Sequence, residues 1–335
     1  MRHSIRRFML FFIALVLLLL GLMFWGIMQG NVLITYDQVL SALGFTSKPI
    51  PEMLKIIIID LRIPRALLAL LCGASLAIVG TLLQTTTKNE LADPFLFGLS
   101  SGASAGAVFV ITRFGNHFGE FTLPLAAFSG GILSAIVVLM LFYMSKSHRS
   151  EHLIVCGLSV SFLFSALTSY FIFSGDQRAA SSVIFWSLGG LGLARWDNLL
   201  IPLMSFGLLS GFVIKRWQWL DGLLAGEQTA ISLGIHVARL RIETFLCCAL
   251  ATSCLVSITG VIGFVGLLVP HVARFFVGVK HRLLIPLSAL FGALLLCIGD
   301  IISRTVIENQ ELPIGVITAG IGGIFVIGLQ IKRSW

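Results

Sequence analysis

The residues that could do chemistry are few, and they sit in or beside apolar runs. Asp300 lies in a run from Leu283 to Ile302, with Arg304 four residues on and so on the same helical face. An unpaired aspartate at the centre of a membrane-crossing helix costs roughly 2.5–3.5 kcal/mol. The spacing predicts an Asp300–Arg304 ion pair near a helix end. A proton or ion relay is the sharper alternative for an acid at membrane depth. A relay would want further acids deeper in the core, and Glu243, near another helix end, is the one other candidate. A second group is Asp60-Leu-Arg-Ile-Pro-Arg-Ala66. Pro64 suits a first helical turn, where its missing N–H matters little. That leaves Arg62 and Arg65 at a surface, either as interfacial side chains or as a cationic docking patch for an acidic soluble partner.

Two further stretches are polar. Lys88-Asn-Glu-Leu-Ala-Asp-Pro94 links two apolar runs, and its Asn89 and Asp93 offer turn and capping groups ahead of Pro94. It reads as a tight turn or as a gate at a pore mouth. Trp217–Arg241 is the longest polar interruption of the second half, entered by Lys215 and Arg216 and left by Arg239 and Arg241. Its Leu220, Leu223, Leu224, Ala230, Ile231, Leu233 and Ile235 suit short amphipathic helices on a membrane or against a partner. This is where a soluble subunit is expected to grip a membrane channel.

No catalytic constellation accompanies these groups. The chain has no Gly-x-x-x-x-Gly-Lys-Ser/Thr loop, so ATP hydrolysis is not expected of it. The histidines, at 3, 117, 148, 152, 236, 271 and 281, make no HExxH pair, which disfavours an intramembrane metalloprotease. Cys72, Cys156, Cys247, Cys248, Cys254 and Cys297 all sit in apolar runs without metal-type spacing, so they read as buried small apolar groups and no metal site is expected.

The elements that must carry these residues are membrane helices. Hydrophobic residues make up 57% of the 335 and charged residues 11%, which a soluble chain of this length does not show. The net charge of +8 is confined to short gaps between apolar runs, a membrane topology signal rather than a nucleic-acid patch. The runs are Phe8–Met28, Ala66–Leu83, Phe95–Ile111, Leu123–Met144, Leu153–Phe173, Leu199–Ile214, Leu283–Ile302 and Leu312–Ile331. Each is near the length of about 20 residues that crosses the hydrocarbon core. Thr244–Val279 holds two short spans, or one span and a re-entrant piece. Two spans give about ten helices with both termini on one side. Phe8–Met28 is too long for a signal peptide and reads as a retained first helix.

Positive charge orients that topology. Of the 23 Lys and Arg residues, 15 fall in the segments placed inside with the termini and 8 in those outside. Residues 217–241 are then cytoplasmic, and residues 30–62 and 175–197 form outer loops. The apolar, Gly-rich 175–197 predicts a short helix tucked into the outer mouth. Gly73, Ala77 and Gly80, then Gly102 and Gly106, and finally Gly320, Gly322 and Gly323 are small residues suited to close helix packing. A substrate-path role for the Ser101–Ala107 face is the alternative.

Taken together, the motifs resemble those of the FecCD family, the permease subunits of ABC importers for iron–siderophore complexes, haem and cobalamin. The matching pieces are Arg62-Ile-Pro-Arg65, Gly80-Thr-Leu-Leu-Gln84, Asn89-Glu-Leu-Ala-Asp-Pro94 with Gly98-Leu-Ser-Ser-Gly-Ala103, and Gly263-Phe-Val-Gly-Leu-Leu-Val-Pro-His-Val-Ala-Arg274. His281-Arg282 followed by Pro286, Asp300 with Arg304, and Glu311-Leu-Pro-Ile-Gly-Val-Ile-Thr318 complete the series, in order along most of the chain. Glu90 departs from the family, which usually has Pro after the Asn.

The resemblance implies a single all-α permease domain over residues 1–335, polytopic, with about ten transmembrane helices arranged as in the cobalamin importer. It implies a second permease subunit, as a homodimer enclosing the path, two cytoplasmic ATPase subunits and a periplasmic binding protein, in the bacterial inner membrane. ATP and Mg would be bound by the partner ATPase, with no cofactor in this chain. It further implies docking of the binding protein at Arg62, Arg65 and Arg304, ATPase coupling at Gly226, Glu227, Ala230 and Gly234, and a cytoplasmic gate at Asn89 and Leu91. The other readings are an ion-coupled secondary transporter working without an ATPase, and an importer permease for an oxyanion such as molybdate.

Overall fold

The computed structural model describes residues 2–46, 48–115, 119, 121–145, 149–175 and 180–333, which form helices and turns with no strand among them. Lys146 and Arg178, which enter the charge bias, and His117 and His148 lie outside them. In chain order the helices are α1 (Arg2–Met28), α2 (Tyr36–Ala42), α3 (Glu52–Ile56), α4 (Ile63–Thr87), α5 (Leu99–Arg113), α6 (Thr122–Met144) and α7 (Ser150–Ser174). They continue with α8 (Ala180–Ser187), α9 (Leu200–Leu224), α10 (Glu227–Ser232), α11 (Val237–Thr259), α12 (Val265–Val277), α13 (His281–Thr305) and α14 (Ile314–Arg333).

Among the described residues, eight helices are long and apolar enough to cross a membrane. The other two of the expected ten, α5 and α12, are shorter, at 15 and 13 residues. Backbone breakers explain both. Pro94–Phe97 form a 3-10 turn and Gly98 takes φ +76°, so α5 starts at Leu99 and not at Phe95. Residues 260–264 form an irregular link that ends at Phe264 with φ +66°, and α12 begins only after it. The stretch from Thr244 to Val279 is therefore two helices, the second about 20 Å long at 1.5 Å per residue.

Residues 52–62 are helical where a loop was expected. The helix runs from Glu52 through a π-helical stretch, Ile57–Arg62, into α4. Pro64 would clash with the carbonyl four residues back in a regular helix, and the wider π turn just before it relieves that clash. The apolar run Ile56–Ile59 does the rest. The short helix expected in 175–197 is present as α8.

Helix α4 is the axis of the bundle; 19 of its 25 residues are buried. It meets two neighbours backbone to backbone. A Cβ added at Gly73 would stand 2.2 Å from the Gly292 carbonyl oxygen of α13, and one at Gly80 would stand 1.9 Å from that of Gly266 in α12. Gly102 and Gly106 likewise seat α5 on α6 at Gly130 and Ala126. Small residues permit these approaches where no hydrophobic force separates protein from lipid. Gly320 and Gly323 on α14, by contrast, meet nothing within 4 Å in this chain.

Candidate functional site

Two polar clusters lie at opposite ends of α4. At its beginning are the three arginines and Asp300. Arg65 Nε lies 2.7 Å from Asp300 Oδ1, and Arg304 Nη2 lies 2.8 Å from Asp300 Oδ2. The Asp300–Arg304 pair expected from spacing is thus present, and Arg65 shares the same carboxylate. Arg65 Nη1 also reaches Glu311 Oε1 at 2.8 Å. A buried charge is tolerated when it is paired and hydrogen-bonded on all sides, and Asp300 is 3% exposed.

Guanidinium donors of Arg62 and Arg304 also cap the end of α1. The last carbonyls of a helix have no partner within it. Arg62 Nη1 donates to Ile27 O at 2.6 Å, Arg304 Nη2 to Gly26 O at 3.1 Å, and Arg304 Nη1 to Gln29 O at 3.0 Å. Cations at a helix C-terminus also meet the negative end of its dipole. Arg62, Arg65 and Arg304 therefore turn inward, and Arg62 and Arg304 are each 9% exposed. Over them lies a cavity of about 380 Å³, lined by Gly30, Arg62, Arg65, Arg195, Arg304 and Glu311 among others. Arg195 is exposed at its rim.

At the other end of α4 lie the proposed gate and coupling residues. Lys88 caps α4 in the left-handed conformation, φ +51°. Asn89 Oδ1 accepts from Leu91 N at 3.0 Å, and Ala92 N donates to Asn89 O at 3.0 Å, which closes the turn. Leu91 is exposed at its tip. Asp93 Oδ1 accepts from Phe95 N at 3.0 Å, the cap expected of it, and burial pushes its carboxyl up to about 6.

The polar stretch 217–241 contains one separate short helix where several were expected. Residues 217–224 extend α9, because Leu220 and Leu223 turn into the core and continue its apolar face. The separate helix is α10. Gly226 at φ +112° precedes it and Gly234 at φ +81° follows it, conformations a side chain disfavours. Ile235 N donates to Ala230 O at 2.9 Å across Gly234, closing the C-terminus. Ala230 is buried, whereas Ile231 and Leu233 stand 62% and 66% exposed. Glu243 does not serve as a lone intramembrane acid: it pairs with Arg216 and Arg239, each at 2.8 Å.

Other groups at this end escape sequence reasoning. Asp221 Oδ1 accepts from His281 N at 2.9 Å and lies 2.6 Å from its Nδ1, while Nε2 shares a hydrogen bond with Thr85 Oγ1 at 2.8 Å. Gln84 Nε2 donates to the carbonyls of Gly266 and Leu267, at 3.0 and 3.2 Å, and Gln84 Oε1 accepts from Arg274 Nη2. These links join residues 60 to 196 positions apart, and no local spacing signals them.

The chain can be set beside known proteins. The model of the FecCD transport family matches residues 16–332. The vitamin B12 import system permease protein BtuC of Vibrio cholerae is 35% identical over 82% of each chain. A Helicobacter pylori protein described as an iron chelatin transport system permease is 36% identical over 83% of each. Among solved structures, a chain described as a metal-chelate type ABC transporter in an inward-facing conformation superposes with a TM-score of 0.83 at 28% identity, covering 96% of this chain and 99% of that one. The family model spans most of the chain and these relatives are 35–36% identical over about four fifths of it, so the chain belongs to the FecCD transport family.

Proposed function

We propose that this chain is the membrane-spanning subunit of a binding-protein-dependent ABC importer, and that it forms the path for a metal chelate of the iron–siderophore, haem or cobalamin class. ATP hydrolysis, with its Mg, takes place on two separate cytoplasmic subunits. The observation that carries this reading is α10. A six-residue helix held between two glycines presents exposed Ile231 and Leu233 at one end of the bundle, and an apolar projection of that kind suits a cleft in a soluble partner. Gly226 and Gly234 bound this coupling element, Ala230 packs it on the bundle, and Glu227 opens it with a carboxylate paired inside the chain. The relatives named above are described as import and transport permeases, which agrees with it.

In this reading the α10 end and both termini lie on the cytoplasmic side of a bacterial inner membrane, and the excess of Lys and Arg on that side supports it. The Asn89–Leu91 turn then stands at the cytoplasmic mouth as the gate. A second copy of the chain completes the path, packing on the α7 and α14 faces where Phe162, Phe173, Ile324 and Ile327 are exposed. At the outer end, the arginine-lined cavity receives an acidic side chain of the binding protein. An incoming carboxylate would displace Glu311, 49% exposed, from Arg65. Arg62 and Arg304 hold α1 and set the cavity's shape.

Co-expression with the ATPase and binding-protein candidates encoded beside the chain tests the assembly. The ATPase should co-purify, and the binding protein should bind more weakly as salt rises. Replacing Arg195 by Glu and Arg65 by Gln should lower that binding about tenfold or more at low salt, while ATPase co-purification stays unchanged. Undiminished binding would refute docking at this cavity, and failure of the wild-type chain to hold an ATPase would refute the importer reading.

A further inference from the structure

The gate turn and the coupling helix are joined by side chains. Glu227, the first residue of α10, points back into the bundle. Its Oε1 meets Arg241 Nη2 in a tight ion pair and lies 3.7 Å from Lys88 Nζ. Arg241 sits in the first turns of α11 with a side chain 3% exposed. Its Nε donates to Thr86 O at 3.1 Å, one of the last carbonyls of α4. Lys88 caps α4 and immediately precedes Asn89. One carboxylate thus holds the N-terminus of α10 to both α11 and the residue before the gate.

The geometry points to a division of labour within α10. Ile231 and Leu233 face outward to seat the soluble subunit, while Glu227 faces inward. We propose that Glu227 and Arg241 are positioning residues that tie α10 to the Lys88–Ala92 turn, so that displacement of α10 moves the gate turn directly and not through the length of a helix. This rests on the importer reading above and names the connection between its two sites.

The physical reasons are three. Arg241 is buried, so its charge must stay paired, and Glu227 is the carboxylate that pairs it. The planar guanidinium bonds a carboxylate and a carbonyl at once, which an ammonium cannot do in the same geometry. The left-handed conformation at Lys88 means that the chain turns sharply just where Glu227 holds it. A second tie works in parallel. Asp221, three residues before the end of α9, holds His281, which meets Thr85 one turn back on α4. The end of α4 is thus gripped from both sides of α10.

The test places a cysteine at Leu91 and measures its reaction with a maleimide. The full permease is used, alone and with its ATPase, in proteoliposomes. In the permease alone, Glu227→Gln and Arg241→Lys should each change the labelling rate at least about fivefold, and Lys88→Gln should change it in the same direction by less. With the ATPase present, Glu227→Gln should keep ATPase co-purification and ATP hydrolysis, yet lose most of the nucleotide-dependent change in labelling. Ile231→Asp should do the reverse, losing the ATPase while leaving labelling of the permease alone unchanged. Unaltered labelling in Glu227→Gln and Arg241→Lys overturns the tie. So does loss of the ATPase in Glu227→Gln, because the carboxylate would then face the partner. A wild-type permease that holds no ATPase overturns the importer reading instead and leaves the permease-alone result standing.

Discussion

Asp300→Ala lowers the stability of the folded permease by about 3–5 kcal/mol, the usual effect of removing one partner from a buried ion pair. The carboxylate is shared. It lies 2.7 Å from Arg65 Nε and 2.8 Å from Arg304 Nη2, and it is almost wholly enclosed. Without it, two guanidinium groups face each other, and among the described residues Glu311 pairs with Arg65 but not with Arg304. Arg304 would then be drawn away from Gly26 O and Gln29 O, which it caps. The loss should appear as a lower unfolding temperature in detergent and as faster proteolysis after α1. Asp300→Asn, which keeps the shape and can accept one hydrogen bond, should cost less. Stability within about 1 kcal/mol of wild type in Asp300→Ala would contradict the assignment, since the full cost of an unpaired buried charge is larger.

Gly80→Ala is the second large effect. The added Cβ would lie 1.9 Å from Gly266 O, 2.4 Å from its carbonyl carbon and 2.5 Å from its Cα. All three atoms are backbone, so no rotamer change can relieve the overlap. Helices α4 and α12 must separate, which disturbs Gln84 where it bonds the carbonyls of Gly266 and Leu267. Overpacking of this kind costs about 1–3 kcal/mol, and more where rigid elements must move apart. Gly320→Ala is the control. Nothing lies within 4 Å of its Cβ, and alanine is the better helix former by up to about 1 kcal/mol. That variant should be neutral or stabilising in the isolated chain. Equal effects at the two positions would contradict the backbone approach at Gly80.

Hydrophobic run length and breaker residues carried most of the fold. The eight long apolar helices, the short α8 and the Asp300–Arg304 pair follow from local spacing. The departures have local causes as well, but weaker ones. Pro64 signals a helix start equally well whether the helix begins there or passes through a π turn, so the extension back to Glu52 is not written in that residue. The start of α5 depends on Gly98 adopting a positive φ, which the apolar pattern of Phe95–Ile111 conceals. Residues 217–224 look like part of a polar loop because Trp217, Gln218 and Asp221 dilute the pattern that Leu220 and Leu223 continue.

The site divides the same way. The turn at Asn89 and the caps at Asn89 and Asp93 are short-range features and were readable, whereas Gly226 and Gly234 entered only through the family resemblance. The destinations of the long side chains were not. Arg65 meets Asp300 and Glu311, which lie 235 and 246 positions away, and nothing in Arg62-Ile-Pro-Arg65 distinguishes an outward patch from a helix cap. Glu227 belongs to a stretch that reads as partner-facing, yet its carboxylate turns inward to Arg241. Spacing along a chain places a residue on an element; only the packing of elements decides which charges meet.

Substrate uptake is the most direct measurement of what this chain does. The permease is reconstituted in proteoliposomes with the proposed ATPase and binding protein, and entry of a radiolabelled iron chelate or cobalamin is followed. Uptake should require ATP, the binding protein and an ATPase with an intact catalytic site, and it should be indifferent to proton or sodium gradients. Uptake by the permease alone, driven by an ion gradient and unchanged when the ATPase is catalytically disabled, would contradict the importer reading.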